Sequence, residues 1–249
     1  MTVPNNILFC GDPHGSFDHI IEAARRLDPM AVVLLGDLQP QRPLHVELAE
    51  ISEKVWFVHG NHDTDSEQDF VNVFESELAH RNVHGRVVTL PDGTRLAGLG
   101  GVFRERVWMP PNEPKFLTAE HLAYATSPYD RWRDGPSLRH WSSICKTDVD
   151  VLVKQRADIL VTHEAPSCHP HGFAAIDELA RSMGVTEAFH GHHHDRIDYS
   201  MQWAQLGFKA RGVGLCGITD RAGNVVTIGE FDLARQARQL RVDDLGDLD

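Results

Sequence analysis

Five times before residue 195, an apolar run breaks at Gly or Thr and is followed by Asp, Asn or His. The sites are Gly11-Asp12-Pro13-His14, Gly36-Asp37, Gly60-Asn61-His62-Asp63, Thr162-His163 and Gly191-His192-His193-His194. The runs before them are Ile7 to Cys10, Ala31 to Leu35, Val55 to Val58, Asp158 to Thr162 and the short Ala188-Phe189. Each reads as a buried strand, because short β-branched and aromatic runs bounded by turn residues favour extended backbone. In open α/β sheets, ligands bind beyond the carboxyl ends of the strands. The five breaks therefore point at one crevice.

Helical patterns separate the early strands. Ser16 is placed to cap a helix whose Ile20, Ile21, Ala24 and Leu27 share a face. Further helices are expected around Leu44 to Ile51 and over Glu67 to Leu78. Alternation of this kind implies parallel pairing with right-handed crossovers. Val87 to Leu90 and Arg95 to Leu99, joined through Pro91-Asp92-Gly93, read as an antiparallel hairpin. The rhythm then stops over residues 103–150, which hold Trp108, Trp132 and Trp141. We read that stretch as an inserted cap, with a plain excursion on the sheet edge as the alternative. Later come a helix over Ala174 to Met183, strand-like text with turns from Gln202 to Asp232, and a last helix over Leu233 to Leu240. The expected organisation is a single domain over 1–240, with the insert inside it and an acidic tail over 241–249.

The chain has 249 residues, enough to bury a full core. Its 24 Lys and Arg face 36 Asp and Glu, a formal charge of −12. A general nucleic-acid binder shows the reverse balance, so nucleic acid is not the expected partner. No apolar run approaches the roughly 18 residues of a membrane span. The four cysteines are scattered, and the start lacks a signal-peptide pattern, so a cytoplasmic location is expected.

Seven side chains at the five breaks are candidate metal ligands: Asp12, His14, Asp37, Asn61, His163, His192 and His194. Carboxylate, imidazole and one amide oxygen suit Mn, Fe, Zn or Ni, and the lack of thiolate argues against a structural zinc. Seven donors are too many for one ion and fit two ions sharing a carboxylate, the arrangement that clamps an in-line phosphoryl displacement.

With these blocks in this order, the sequence resembles the calcineurin-like metallophosphoesterase family. The family pattern is Gly-Asp-x-His, Gly-Asp, Gly-Asn-His-(Asp/Glu), a His after a strand, and Gly-His-x-His. The resemblance implies an α/β sandwich of two mixed β-sheets flanked by helices, in four layers αββα. It implies that Asp12, His14 and His194 hold one ion, that Asp37 bridges, and that Asn61, His163 and His192 hold the second. A hydroxide bridging the two ions would be the nucleophile, and His62 would face the phosphate and protonate the leaving oxygen. His193 fills the variable slot.

The second block departs from many relatives. Gly36-Asp37-Leu38-Gln39-Pro40-Gln41 lacks the second Asp and the Arg of Gly-Asp-x-x-Asp-Arg. In those relatives that Asp orients the catalytic His. Here Asp63 or Asp65 would have to substitute, and Asp63 is taken as the catalytic partner of His62. The departure also weakens a protein-phosphatase reading.

Other features are less specific. Arg104 could clamp a substrate phosphate beside Asn61 and His62, or sit in a surface ion pair. Arg131, Arg133, Arg139 and His140, among Trp132 and Trp141, could stack a nucleobase or simply pack the insert on itself. His169 and His171 lie near the expected mouth. Gly98-Leu99-Gly100-Gly101 matches no phosphate-loop pattern and reads as a close-packed turn.

The expected activity is hydrolysis of a phosphodiester or phosphomonoester, the substrate being a small phosphate ester such as a nucleotide. Two divalent ions are the expected cofactors, Mn first, then Fe, Zn or Ni. The alternatives are a nuclease or protein phosphatase of the same chemistry, or a non-catalytic scaffold. A scaffold predicts lost ligands, and none of the seven is lost.

Overall fold

A computed structural model describes residues 6–234. In chain order it runs β1 (Ile7–Cys10), α1 (Asp18–Leu27), β2 (Ala31–Leu34), α2 (Leu44–Glu47), β3 (Val55–Phe57), α3 (Glu67–Phe74), β4 (Arg86–Thr89) and β5 (Arg95–Leu99). It continues α4 (Ala119–Ala125), α5 (Lys146–Leu152), β6 (Ile159–Thr162), α6 (Ala174–Met183), β7 (Glu187–His190), α7 (Trp203–Leu206), β8 (Lys209–Gly212), β9 (Ile218–Asp220) and β10 (Val225–Thr227).

The strands form two five-stranded sheets, ordered β10-β9-β1-β2-β3 and β4-β5-β6-β7-β8. β1, β2 and β3 pair in parallel, and β9 joins β1 antiparallel. In the second sheet β5 to β8 are parallel, and β4 closes the edge antiparallel. Both sheets are therefore mixed.

Period-two alternation sends each strand's side chains into two different cores. Ile7 and Phe9, with Val33, Val161 and Phe189, fill the space between the sheets. Leu8, Cys10, Val32 and Leu34 face the other way and meet Ile20, Ala23 and Ala24 of α1. On the outside of the second sheet, Ala97, Leu160 and Ala188 meet Ile176, Leu179, Ala180 and Met183 of α6. The result is four layers, helix-sheet-sheet-helix, as the family resemblance implied.

α6 spans the expected Ala174 to Met183. Its buried residues recur at helical spacing, and Gly184 at φ 72° ends it with an amide bonded back to Ala180 and Arg181. Other elements differ from expectation. Ser16 does not cap α1, whose N-cap is Phe17, and the buried face runs through Ile20, Ala23 and Ala24 while Leu27 is exposed. The helix expected over 44–51 is a single turn. The one expected over 67–78 stops at Phe74, because Ser76 turns the chain. Its Oγ accepts from the amides of Leu78 (3.2 Å) and His45 (3.0 Å), a local alternative to the helical ladder. The stretch expected to be strand-like from Gln202 includes the helical turn α7. The last helix expected over Leu233 to Leu240 runs out of the described residues, and the acidic tail lies outside them.

Residues 103–150 leave the second sheet and return to it. Val102 pairs with Ser143 at the root. Phe103, Trp108, Ile144 and Val149 join the outer core of that sheet. Val107, Leu122 and Cys145 form a small core of their own. At the far side Trp132 and Trp141 set their rings edge-on to Phe70 of α3, at 5.9 and 5.1 Å. These tryptophans dock the insert on α3.

Phe9 and Phe189 hold the sheets together through rings stacked 3.6 Å apart and 5° from parallel. Phe189→Ala should destabilise the protein by about 3–5 kcal/mol, the usual range for deleting a buried aromatic ring. Denaturant unfolding followed by tryptophan fluorescence measures this.

Candidate metal centre

The five breaks lie at the carboxyl ends of β1, β2, β3, β6 and β7. What brings their side chains inward is the backbone. Asp12 (φ 37°), His14 (41°), Asp37 (50°), His192 (70°) and His194 (56°) all occupy the left-handed region. Non-glycine residues adopt that region rarely, and clusters of such strain mark functional sites. Glycine makes the close approach possible. A Cβ on Gly60 would stand 2.2 Å from Asp37 Oδ1, and one on Gly36 would stand 2.3 Å from His163 Nδ1.

Three triads of donor atoms result, each within 4.8 Å: two at Asp37, formed by His14, Asp37 and His194 and by Asp37, His163 and His192, and a third of Glu164, His192 and His193 that does not include Asp37. Asp37 belongs to the first two. Its Oδ1 accepts from the His62 amide at 2.8 Å. Its Oδ2 lies 3.3 Å from His163 Nε2 and 3.9 Å from His14 Nε2, buried and without a hydrogen-bond partner. Asn61 completes the second triad, with Oδ1 3.1 Å from His163 Nε2. Asp12 is in none of the triads. Its Oδ1 accepts from the His192 amide at 3.0 Å, and its Oδ2 is a second buried oxygen with no partner.

The imidazoles are oriented from behind. His163 donates Nδ1–H to the Leu35 carbonyl at 2.8 Å, and His14 donates Nδ1–H to Gln39 Oε1 at 2.6 Å. Both Nε2 atoms are thereby turned inward, and His14 Nε2 stands 3.2 Å from His194 Nε2. Carboxylate oxygens, an amide oxygen and imidazole nitrogens thus face one another, and only positive charge between them relieves the repulsion. A donor set of this chemistry fits divalent cations.

The charges agree. Burial pushes the Asp12 carboxyl up to about 7 despite His163. Burial opposes charge on Asp37 and His163 as well, but their mutual attraction prevails. Asp37 is held below the ordinary carboxylate range, and His163 rises to about 10. A proton and a metal ion compete for that Nε2, so binding an ion here releases protons.

The His62 ring lies 5.5 Å from the His14 ring, at the edge of the first triad. Its Nδ1 donates to Asp65 Oδ2. Burial lowers the His62 pKa, but Asp65 and Asp37 outweigh it and leave the net shift upward.

The calcineurin-like phosphoesterase family profile matches residues 6–196. The chain belongs to that family. As a calcineurin-like phosphoesterase it is a metal-dependent phosphoester hydrolase, and the family's divalent ions have matching ligands here. An uncharacterised protein of Haemophilus influenzae is 43% identical over 218 residues, covering 88% of this chain and 95% of its own. A protein of Thermus thermophilus shares the fold at TM-score 0.55 and 16% identity, with 91% of this chain and 99% of that one aligned. So does a structure described as a dimetal phosphatase from Danio rerio, at TM-score 0.50 and 16% identity, over 84% and 87%.

In this phosphoesterase the carboxylate beside His62 is Asp65, not Asp63. Asp63 is fully buried and accepts from the amides of Leu38 (2.7 Å), Gln39 (2.9 Å) and Gly60 (2.8 Å). It ties the loop after β2 to the loop after β3, whereas the side chain bonded to His62 Nδ1 is that of Asp65. Pro40 occupies the position of the family's second Asp, and Asp65 approaches His62 from within the next block. Gln39 was not singled out by sequence reasoning. Its sign is visible only in the structure: φ 39°, and an amide aimed at His14.

Behind the centre, His169 stacks on His193 at 3.8 Å and stands 3.5 Å from Asp195, with His171 alongside. This packing props the Gly191 to His194 loop. Arg104 makes no ion pair within 4.0 Å among the described residues; its guanidinium donates to Ser142 and Ser143 Oγ, each at 3.2 Å. The described residues contain no helix long and apolar enough to cross a membrane.

Gln39→Leu should weaken Mn binding by about 10–100-fold, because His14 loses the acceptor that fixes its ring. Gln39→Glu, which keeps an acceptor, should restore most of the affinity. Competition with a fluorescent chelator measures both.

Proposed function

We propose that the chain is a dinuclear phosphoesterase acting on phosphodiesters, with some action on monoesters, and that His62 is its general acid. The observation that carries this reading is Asp37 Oδ2, shared between two of the triads. One carboxylate between two imidazole sets suits two ions better than one. The dimetal description of the Danio rerio neighbour supports the same count.

Asp12, His14 and His194 would hold one ion and Asn61, His163 and His192 the other, with Asp37 between them. Mn is the leading choice for these ligands, ahead of Fe, Zn and Ni. When bound, such a pair acidifies water and draws charge from the phosphoryl group. The chain's residues do the rest. Asn61 and His62 face the substrate phosphate from the loop after β3. Asp65 keeps His62 protonated and fixes its Nδ1, leaving Nε2–H to donate to the departing oxygen. A small phosphate ester, such as a nucleotide, is the substrate class.

Reloaded with Mn, the protein should hydrolyse bis(para-nitrophenyl) phosphate. Asp37→Ala should abolish both metal content and turnover. His62→Ala should keep both ions and lose about 10²–10⁴ in kcat, most for poor leaving groups, which need the proton most. Elemental analysis beside the kinetics decides the assignment: a His62→Ala protein stripped of metal overturns it.

A further inference from the structure

Next to His62 the insert borders an open cavity of about 550 Å³, whose lining includes Thr64 and Asp65 together with Arg106, Arg139 and His140 of the insert. Its arginines bring positive charge to one place in a chain with a formal charge of −12. Arg133 of the same insert has a carboxylate partner in Glu75. Among the described residues Arg104, Arg106 and Arg139 have none within 4.0 Å. Arg104 is half-buried outside the cavity lining, bonded to Ser142 and Ser143. Burial and then Arg139 pull it down to about 10. Burial, Arg104, Arg106 and Arg139 together push His140 down to about 4. The carboxylates facing this group are Asp65, engaged with His62, Asp130 in the cavity lining, and Glu164 and Asp37, which act on Arg104.

Cationic groups crowded at one wall repel one another, and an anion between them turns that repulsion into attraction. The cavity wall nearest the metal centre in sequence is Thr64 and Asp65, and Asp65 is hydrogen-bonded to His62. We propose that the cavity is a second anion site, and that the preferred substrate carries a further phosphate on its leaving group. Arg106 and Arg139 hold that second phosphate. This rests on the phosphoesterase reading above and adds the substrate class.

Butanediol bisphosphate and butanediol monophosphate, which differ only in the second phosphate, test it on the Mn-loaded protein. The wild type should favour the bisphosphate by about 10–100-fold in kcat/KM, the worth of one or two charge-assisted contacts. Arg139→Ala and Arg106→Ala should pull that ratio toward unity through KM, with Arg139→Lys restoring part of it. Arg133→Ala, an arginine of the same insert that pairs with Glu75, should leave the ratio as it was. Calorimetry with butane bisphosphonate against butane phosphonate reads the same preference without turnover. No preference in the wild type, or one that survives both substitutions, overturns the second site. Failure to hydrolyse either bis(para-nitrophenyl) phosphate or para-nitrophenyl phosphate, with the bisphosphonate preference present, overturns the phosphoesterase reading and spares the site.

Discussion

A buried carboxylate at the junction of two sheets organises this molecule. Asp37 sits where the loops after β2 and β3 meet His163 from the second sheet, and two donor triads are built around it. Burying a charge there is costly unless opposite charge is close. The fold meets that demand with three layers of support: imidazoles turned inward by Leu35 and Gln39, the His62 amide on Oδ1, and Asp63 binding the loops behind. The left-handed backbone at five of the expected ligands stores strain in the same place. Packing between the sheets, above all the Phe9–Phe189 stack, is what holds those loops in register.

The division between structural and chemical carboxylates follows from this. Asp63 and Asp65 are two residues apart, yet one is sealed under backbone amides and the other reaches the His62 ring. A 3-10 turn over His62–Thr64 separates them. It turns Asp63 toward the interior and carries Asp65 round, three residues on from His62, where the two side chains meet. The carboxylate at the His62 ring thus comes from within the block that carries His62.

The insert is bound to the site by the same economy of contacts. Thr64 and Ser142 share a hydrogen bond of 2.7 Å, so the turn that bears His62 and the insert that bears Arg139 and His140 are tied together. The cavity between them therefore lies beside His62.

The alternation of apolar runs with helical patterns, and the five polar breaks, were legible because each is a local signal. Strand burial and ligand identity reside in short stretches of chain, and α6 was read to its ends from periodicity and a terminal glycine. Helices that fail were those where a remote partner intervened, as His45 does at Ser76. The part of Gln39, the exchange of Asp65 for Asp63 and the unpaired arginines of the insert depend on which loops meet across tens of residues. Sequence determined which groups could bind metal and on which strand ends they stand. Tertiary structure alone decided which oxygens are left without partners, because burial and hydrogen bonding belong to the packed whole and not to any segment of it.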